Sequence, residues 1–264
     1  MIKLLFRGLF RLLVNSPFYP HWLDFKNRKR GNLYTSKYLY GLVLETGAGN
    51  CEKKELILKN NKKIRKYVVT DYSSWDDHFD KYNKKGSKIS FLSDLIFGKK
   101  KIQENLDLVC NAMKLPFKDS SFDSYCSFEV LEHINDPSKF LSEAYRVLKK
   151  DGVCVVTLPY LYREHGGINF DFQRLSRGGI QYLCKKAGFQ DTKIITFSYF
   201  GTTLSTLINQ YIIRKILESS SIFKFLLLFI APIIFFLTNI IGYIIDKLDH
   251  DYRFATAYHI VLRK

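Results

Sequence analysis

Two stretches of this chain hold residues able to do chemistry. In the first, Gly47-Ala48-Gly49 follows a short apolar run, Leu42-Val43-Leu44, that closes on Glu45. Glycines at such a point let the backbone approach a ligand where a Cβ would clash. A second apolar run, Tyr67-Val68-Val69-Thr70, closes on Asp71, and a carboxylate there is placed to accept both hydroxyls of a ribose. Glu52 stands where G-x-G-x-x-G has its third glycine. That counts against a pyrophosphate on the helix N-terminus and leaves room for a nucleoside ligand without phosphates.

The second stretch carries two histidines. His133 ends the run Glu129-Val-Leu-Glu132-His133, and His165 lies in LPYLYREHGGINFDFQRLS. Imidazole suits a base near neutral pH, so both are candidate catalytic residues. Asp171 or Arg174 would orient His165 or hold an anionic acceptor; a purely structural lid accounts for the same loop. Glu129, Glu132 and His133 are spaced i, i+3, i+4, which places them on one face of a helical turn where ligands can converge on a divalent metal. The spacing alone does not select a metal, and none is assigned.

These residues need elements to hold them. Strands are predicted at Leu42–Leu44, Tyr67–Thr70, Leu106–Cys110, Phe122–Phe128, Val153–Leu158, Lys193–Tyr199 and Tyr258–Leu262. Helices are predicted at Pro137–Lys150, with Leu141, Ala144, Tyr145 and Leu148 as its apolar stripe, and at Gly178–Ala187, stopped by Gly188. Pro17, Pro20 and Gly31 are expected to break any long helix between Asn15 and Asn32. Strands alternating with helices argue for a doubly wound, mainly parallel α/β sheet.

Several ordered motifs carry a resemblance to the class I S-adenosylmethionine-dependent methyltransferase family. They are VLETGAGN at Val43–Asn50, Asp71, LPFKDSSFD at Leu115–Asp123, EVLEHINDP at Glu129–Pro137 and YRVLKKDG at Tyr145–Gly152. The resemblance extends over roughly residues 40–260. It implies a Rossmann-like fold of seven strands with helices on both faces, the last strand antiparallel beside the sixth, and S-adenosylmethionine as cofactor. It also implies roles for residues. Glu45, Gly47, Ala48 and Gly49 would surround the methionine part, Asp71 would hold the ribose, and Tyr72, Asn111 and Ala112 would lie near the adenine. Ser127 and Phe128 would close the site. The chain departs from the family's D-x-G-x-G-x-G at both ends, with Glu45 first and Cys51 last.

Composition adds an address. The chain has 264 residues and a formal net charge of +16, which favours anionic surroundings such as nucleic acid or acidic lipid. Five widely spaced cysteines give no C-x-x-C pair, which argues against a disulfide framework or zinc knuckle. Met1–Val14 reads as a basic amphipathic helix, with Lys3, Arg7 and Arg11 on one face. Phe225–Ile245 carries no charge and is long enough to cross a bilayer. It falls between the sixth and seventh strands, where a single crossing would strand the closing strand on the wrong side. Pro232 is expected to kink or break a helix there, so the insertion must enter and return or lie along the surface. A helical hairpin with Leu204–Leu217 dipping into one leaflet is expected; a buried cap packed on the core or on a second subunit is the alternative. The domain reading is a basic arm at 1–30, a core at 31–199, an apolar helical insertion at 200–250 and a closing strand at 251–264. The expected function is methyl transfer to a lipid, quinone or lipid-linked glycan at the cytoplasmic face of a membrane. A nucleic-acid methyltransferase, suggested by the charge and by Lys99-Lys100-Lys101, is disfavoured because the charges are scattered; a non-catalytic membrane adaptor is the other alternative.

Overall fold

The computed structural model describes residues 12–49, 51–72, 106–165, 170–218 and 223–264. Lys99–Lys101 and all but the last residues of the basic N-terminal helix lie outside these. In chain order the elements are α1 (Trp22–Ser36), β1 (Gly41–Thr46), α2 (Glu52–Asn60), β2 (Ile64–Asp71), β3 (Leu108–Val109), β4 (Phe122–Phe128), α3 (Pro137–Val147), β5 (Leu148–Pro159), α4 (Arg177–Lys186), β6 (Asp191–Ile195), α5 (Phe200–Glu218), α6 (Phe223–Leu248) and β7 (Ala257–Arg263). Short 3-10 turns stand at Leu131–His133 and Tyr252–Phe254.

The chain divides into two compact units. The α/β unit holds residues 32–160, 164–195 and 258–264. Its seven-stranded sheet runs β3-β2-β1-β4-β5-β7-β6. β1 is parallel to β2 and β4, β2 to β3, and β4 to β5, whereas β6 and β7 pair antiparallel. Strand order reverses between β1 and β4, and an open α/β sheet forms its ligand crevice at such a switch point. The central strands are apolar because helices cover both faces. Val43, Leu44, Tyr125, Cys126, Val155 and Leu158 are fully buried.

The α3 helix shows how local sequence sets an element. Asp136 caps it, accepting from the Lys139 N–H at 3.0 Å, and proline occupies the first turn. Its buried stripe is Phe140, Leu141, Ala144 and Val147. The helix ends three residues short of the expected Lys150, because Leu148 pairs with Phe122 and starts β5. Two other expectations fail in the same direction. Helix α1 runs through Gly31, which costs about 1 kcal/mol relative to alanine but does not end a packed helix. Helix α6 runs through Pro232 without a break. The third strand is shorter than expected, and β6 ends at Ile195 so that α5 can begin at Phe200.

The helical unit comprises residues 161–163 and 196–257 together with the N-terminal segment up to Gly31. Antiparallel α5 and α6 make it. Gly201 and Gly242 lie where they touch, and a Cβ on either would come within 2.1 or 2.5 Å of the other's carbonyl oxygen.

Candidate active site

A cavity of about 350 Å³ opens in the α/β unit where β1, β2 and β4 end. The turn after β1 forms one wall. Gly47 has φ +69° and Gly49 φ +54°, both in the left-handed region that favours glycine. A Cβ on Gly47 would meet Val130 Cγ2 at 2.2 Å, whereas a Cβ on Gly49 would project into open space. Cys51 replaces the motif's last glycine and also sits at φ 60°, a strain of about 1–2 kcal/mol for an L-residue. Glu129, at the end of β4, has φ 59° and lines the same cavity. Strain of this kind concentrates at working sites.

Asp71 ends β2 and ties that strand to the turn. Its Oδ2 accepts from the Gly49 N–H at 2.7 Å and its Oδ1 from the Tyr72 N–H at 2.7 Å. Tyr72 is half exposed and lines the cavity with Asn111, Ala112 and Met113. Asn111 Oδ1 accepts from the Met113 N–H at 2.8 Å, which fixes that turn.

Four of the residues assigned to the cofactor are not in the cavity wall. Glu45, Ala48, Ser127 and Phe128 are buried behind it. Ser127 donates to the Thr46 carbonyl at 3.0 Å and Ala48 N–H to the Thr70 carbonyl at 3.1 Å, so both lock strand ends together. Glu45 is 1% exposed, and its Oε2 accepts from the Tyr67 hydroxyl at 2.9 Å. Burial raises its carboxyl to about 7, against the opposing pull of Lys53. Its Oε1 has no donor among the described residues.

The opposite wall brings the two histidines together. Their rings meet edge to face with centroids 5.0 Å apart. His133 lines the cavity; its Nδ1 bonds to the Phe170 carbonyl, so this nitrogen is the N–H and Nε2 carries the lone pair. Burial holds its pKa below the ordinary 6.5 although the Phe170 carbonyl and Asp171 oppose the shift. His165 does not line the cavity. Both Nε2 atoms lie 3.7 Å from Glu132 Oε1, and Glu132 is fully buried. Among the described residues, the donor atoms of Glu132, His133 and His165 lie within 4.8 Å of one another. That is close enough to share a cation or to pass a proton. Glu129, expected from spacing to join Glu132 and His133, is not in this group, because its left-handed backbone interrupts the helical turn the spacing presumed.

Asp171 and Arg174 are spent on each other. Arg174 grips the carboxylate through both Nη atoms and reaches His165 Nδ1 at 3.2 Å. The His165 N–H donates to Asp171 Oδ2 at 2.6 Å. Burial would raise the Asp171 carboxyl, but Arg174 and that N–H hold it below its usual range. The pair therefore orients His165. Sequence reasoning missed Phe170 and Phe172, which line the cavity. Their alternation about Asp171 was the available signal, since successive side chains of an extended segment point to opposite sides.

A glycine turn, a strand-end acid and a switch-point cavity define a nucleoside-binding α/β protein. Comparison with known proteins gives the family. Residues 44–156 match the family described as "Methyltransferase domain". A probable S-adenosylmethionine-dependent methyltransferase from Mycolicibacterium smegmatis is 33% identical over 85 residues, 30% of this chain and 33% of that protein. A ubiquinone/menaquinone biosynthesis C-methyltransferase UbiE from Brucella canis is 47% identical over 79 residues, 27% of this chain and 29% of that one. The chain thus matches about a third of the length of these curated relatives. Among solved structures, a Haloferax volcanii methyltransferase in complex with its Trm112 activator aligns with TM-score 0.53 at 18% identity, covering 97% of this chain and 93% of that one. Phosphoethanolamine N-methyltransferase 2 of Haemonchus contortus aligns with TM-score 0.51 at 16% identity, over 97% and 60%. Residues 44–156 form a methyltransferase domain of the class I S-adenosylmethionine-dependent family, and its cofactor is S-adenosylmethionine.

The residues present fit that cofactor. The open space beside Gly49 leaves room for it, and Asp71 presents a carboxylate at the cavity wall, an acceptor suited to ribose hydroxyls.

Proposed function

We propose that this chain is a methyltransferase that acts on an apolar or lipid-borne acceptor (a lipid, quinone or lipid-linked glycan) at the cytoplasmic face of a membrane. The observation that carries the reading is the two-sided cavity: Gly47, Gly49 and Asp71 on one wall, His133, Phe170 and Phe172 on the other. S-adenosylmethionine supplies a methyl group on a sulfonium, an electrophile with its leaving group built in. The protein's task is then placement. Gly47 and Gly49 give the cofactor backbone room, and Asp71 holds its ribose. Val130, Ile134, Phe170 and Phe172 hold the acceptor's apolar body and exclude water. His133 takes the acceptor's proton at Nε2, and the Glu132 carboxylate stabilises the imidazolium that forms. The apolar lining and the quinone-methylating names of some relatives support this acceptor class. The test is transfer of labelled methyl to separated lipid, RNA and protein fractions of cells. Label in the organic extract is expected; label confined to RNA or protein would overturn the acceptor, and no label anywhere would overturn the activity.

A further inference from the structure

The helical unit buries much of its polarity between its helices, beside a small apolar cluster of Ile216, Ala231 and Phe235. On α5, Thr202, Ser205, Thr206, Asn209 and Gln210 are buried, while Leu204, Leu207, Ile208 and Tyr211 face outward and are exposed. On α6, Asn239, Gly242 and Asp246 are on the inner side. Phe229, Ile233, Leu237, Ile241, Ile244 and Leu248 are between 50% and 82% exposed, at steps of four and three residues that make one continuous stripe.

Several of the inner polar groups are bonded to one another and to backbone, whereas the Gln210 amide and Asn239 Oδ1 have no partner among the described residues. Asp246 accepts from the Thr202 N–H at 3.0 Å and from its hydroxyl. Thr238 donates to Asn209 Oδ1 at 2.7 Å, and Asn209 Nδ2 donates to the Pro20 carbonyl at 2.9 Å. Asn239 Nδ2 donates to the Pro17 and Tyr19 carbonyls at 2.8 and 2.9 Å. With the Gly201–Gly242 contact, this is the packing of helices in lipid: small residues for close approach and hydrogen bonds as the adhesive. In water the arrangement is costly, since an uninterrupted apolar stripe stays exposed.

Two further observations fix how lipid would cover it. The stripe is one-sided, because the other side of the pair is occupied by its polar contacts with residues 17–20. Charges stand at both ends of the pair: Arg214, Lys215 and Glu218 at one, Lys247 and Asp249 at the other. The uncharged part of α5, Phe200 to Ile213, spans about 20 Å at ~1.5 Å per residue, short of a hydrocarbon core of ~30 Å. A hairpin pushed in end-on would drag Arg214 and Lys215 into hydrocarbon. A hairpin lying flat keeps both charged ends at headgroup level.

We infer that the outward face of α5 and α6 is a monotopic membrane-contact surface, lying in the plane of the bilayer with the stripe from Phe229 to Leu248 in the acyl chains of one leaflet. The inference does not depend on the acceptor's chemistry, and its test reads lipid rather than methyl transfer. The full chain is mixed with phosphatidylcholine vesicles, with and without phosphatidylglycerol, and sedimented. Wild type is expected to sediment with both, and the double variant Leu237→Glu, Ile241→Glu to bind at least about tenfold more weakly, the loss expected when buried apolar area is replaced by charge. S-adenosylmethionine binding by the variant is expected to match wild type, which shows that it is folded. Separately, Ile233→Trp is expected to be quenched by lipids brominated near the headgroup more than by those brominated near the chain end. Equal vesicle binding by wild type and the double variant would overturn the inference, as would stronger quenching from the chain end. So would a wild-type dimer that the double substitution splits without changing lipid binding.

Discussion

The two units solve opposite problems. The α/β unit buries Val43, Leu44, Tyr125 and Val155 and gathers its ionisable groups at the strand ends. The helical unit buries Thr202, Asn209, Asn239 and Asp246 and leaves Phe229, Ile233 and Leu248 outside. In the first, polarity marks where chemistry happens. In the second, polar bonds together with a small cluster of Ile216, Ala231 and Phe235 hold the helices, and the apolar surface carries the meaning. The same residue types must therefore be read differently in the two halves.

Substitutions sharpen that contrast. The largest effect is expected at His133. His133→Gln removes the base and should lower kcat by about 100-fold or more, while calorimetric binding of S-adenosylmethionine stays unchanged. A loss of cofactor binding instead would make His133 a structural residue.

Next comes Glu45, a carboxyl buried behind the cavity wall at the end of β1. Its carboxyl is raised to about 7, so the folded chain holds that proton more tightly than the unfolded chain. The stabilisation is complete below the unfolded value near 4.5 and is lost as pH rises to about 7. Glu45→Gln should flatten this slope and raise the melting temperature of the cofactor-free protein at pH 8, by up to about 3 kcal/mol of stability. Cofactor affinity should change little in the same variant, because Glu45 stands behind the cavity wall. Thermal melts from pH 4 to 8 with and without cofactor separate the two effects.

The helical unit should respond in mirror image. Asp246→Ala strips the Thr202 N–H and hydroxyl of their acceptor inside the pair, and should cost about 1–3 kcal/mol in denaturant unfolding. Leu237→Glu, which puts a charge on an apolar stripe, should change stability in lipid-free buffer by no more than about 0.5 kcal/mol. If Leu237→Glu proved the more damaging, the unit would have an ordinary apolar core.

Much of the α/β unit was legible in the residues. The order of glycine turn, Asp71 and the Glu129–His133 run fixed sheet and cavity, because each motif sits at a strand end whose position the fold repeats. What escaped notice depended on tertiary context. Gly31 and Pro232 read as breakers, yet packing carries α1 and α6 through them. The meeting of His165 with Glu132 depends on a loop whose path no periodicity encodes. The reversal of the helical unit was least visible. Periodicity in Gly201–Tyr211 shows that one face is polar and one apolar, but not which faces inward. The apolar run suggested a hairpin, and only the placement of Asn209, Asn239 and Asp246 shows which side is the inside.

The central claim is that the cavity beside Gly49 and Asp71 binds S-adenosylmethionine. Isothermal titration of the full chain with S-adenosylmethionine, set beside Asp71→Ala, tests it most directly. One site per chain is predicted for wild type, weakened at least about tenfold in the variant as the ribose loses charge-assisted hydrogen bonds. A folded wild-type chain that takes up no cofactor, or an Asp71→Ala variant that binds as well as wild type, would contradict it.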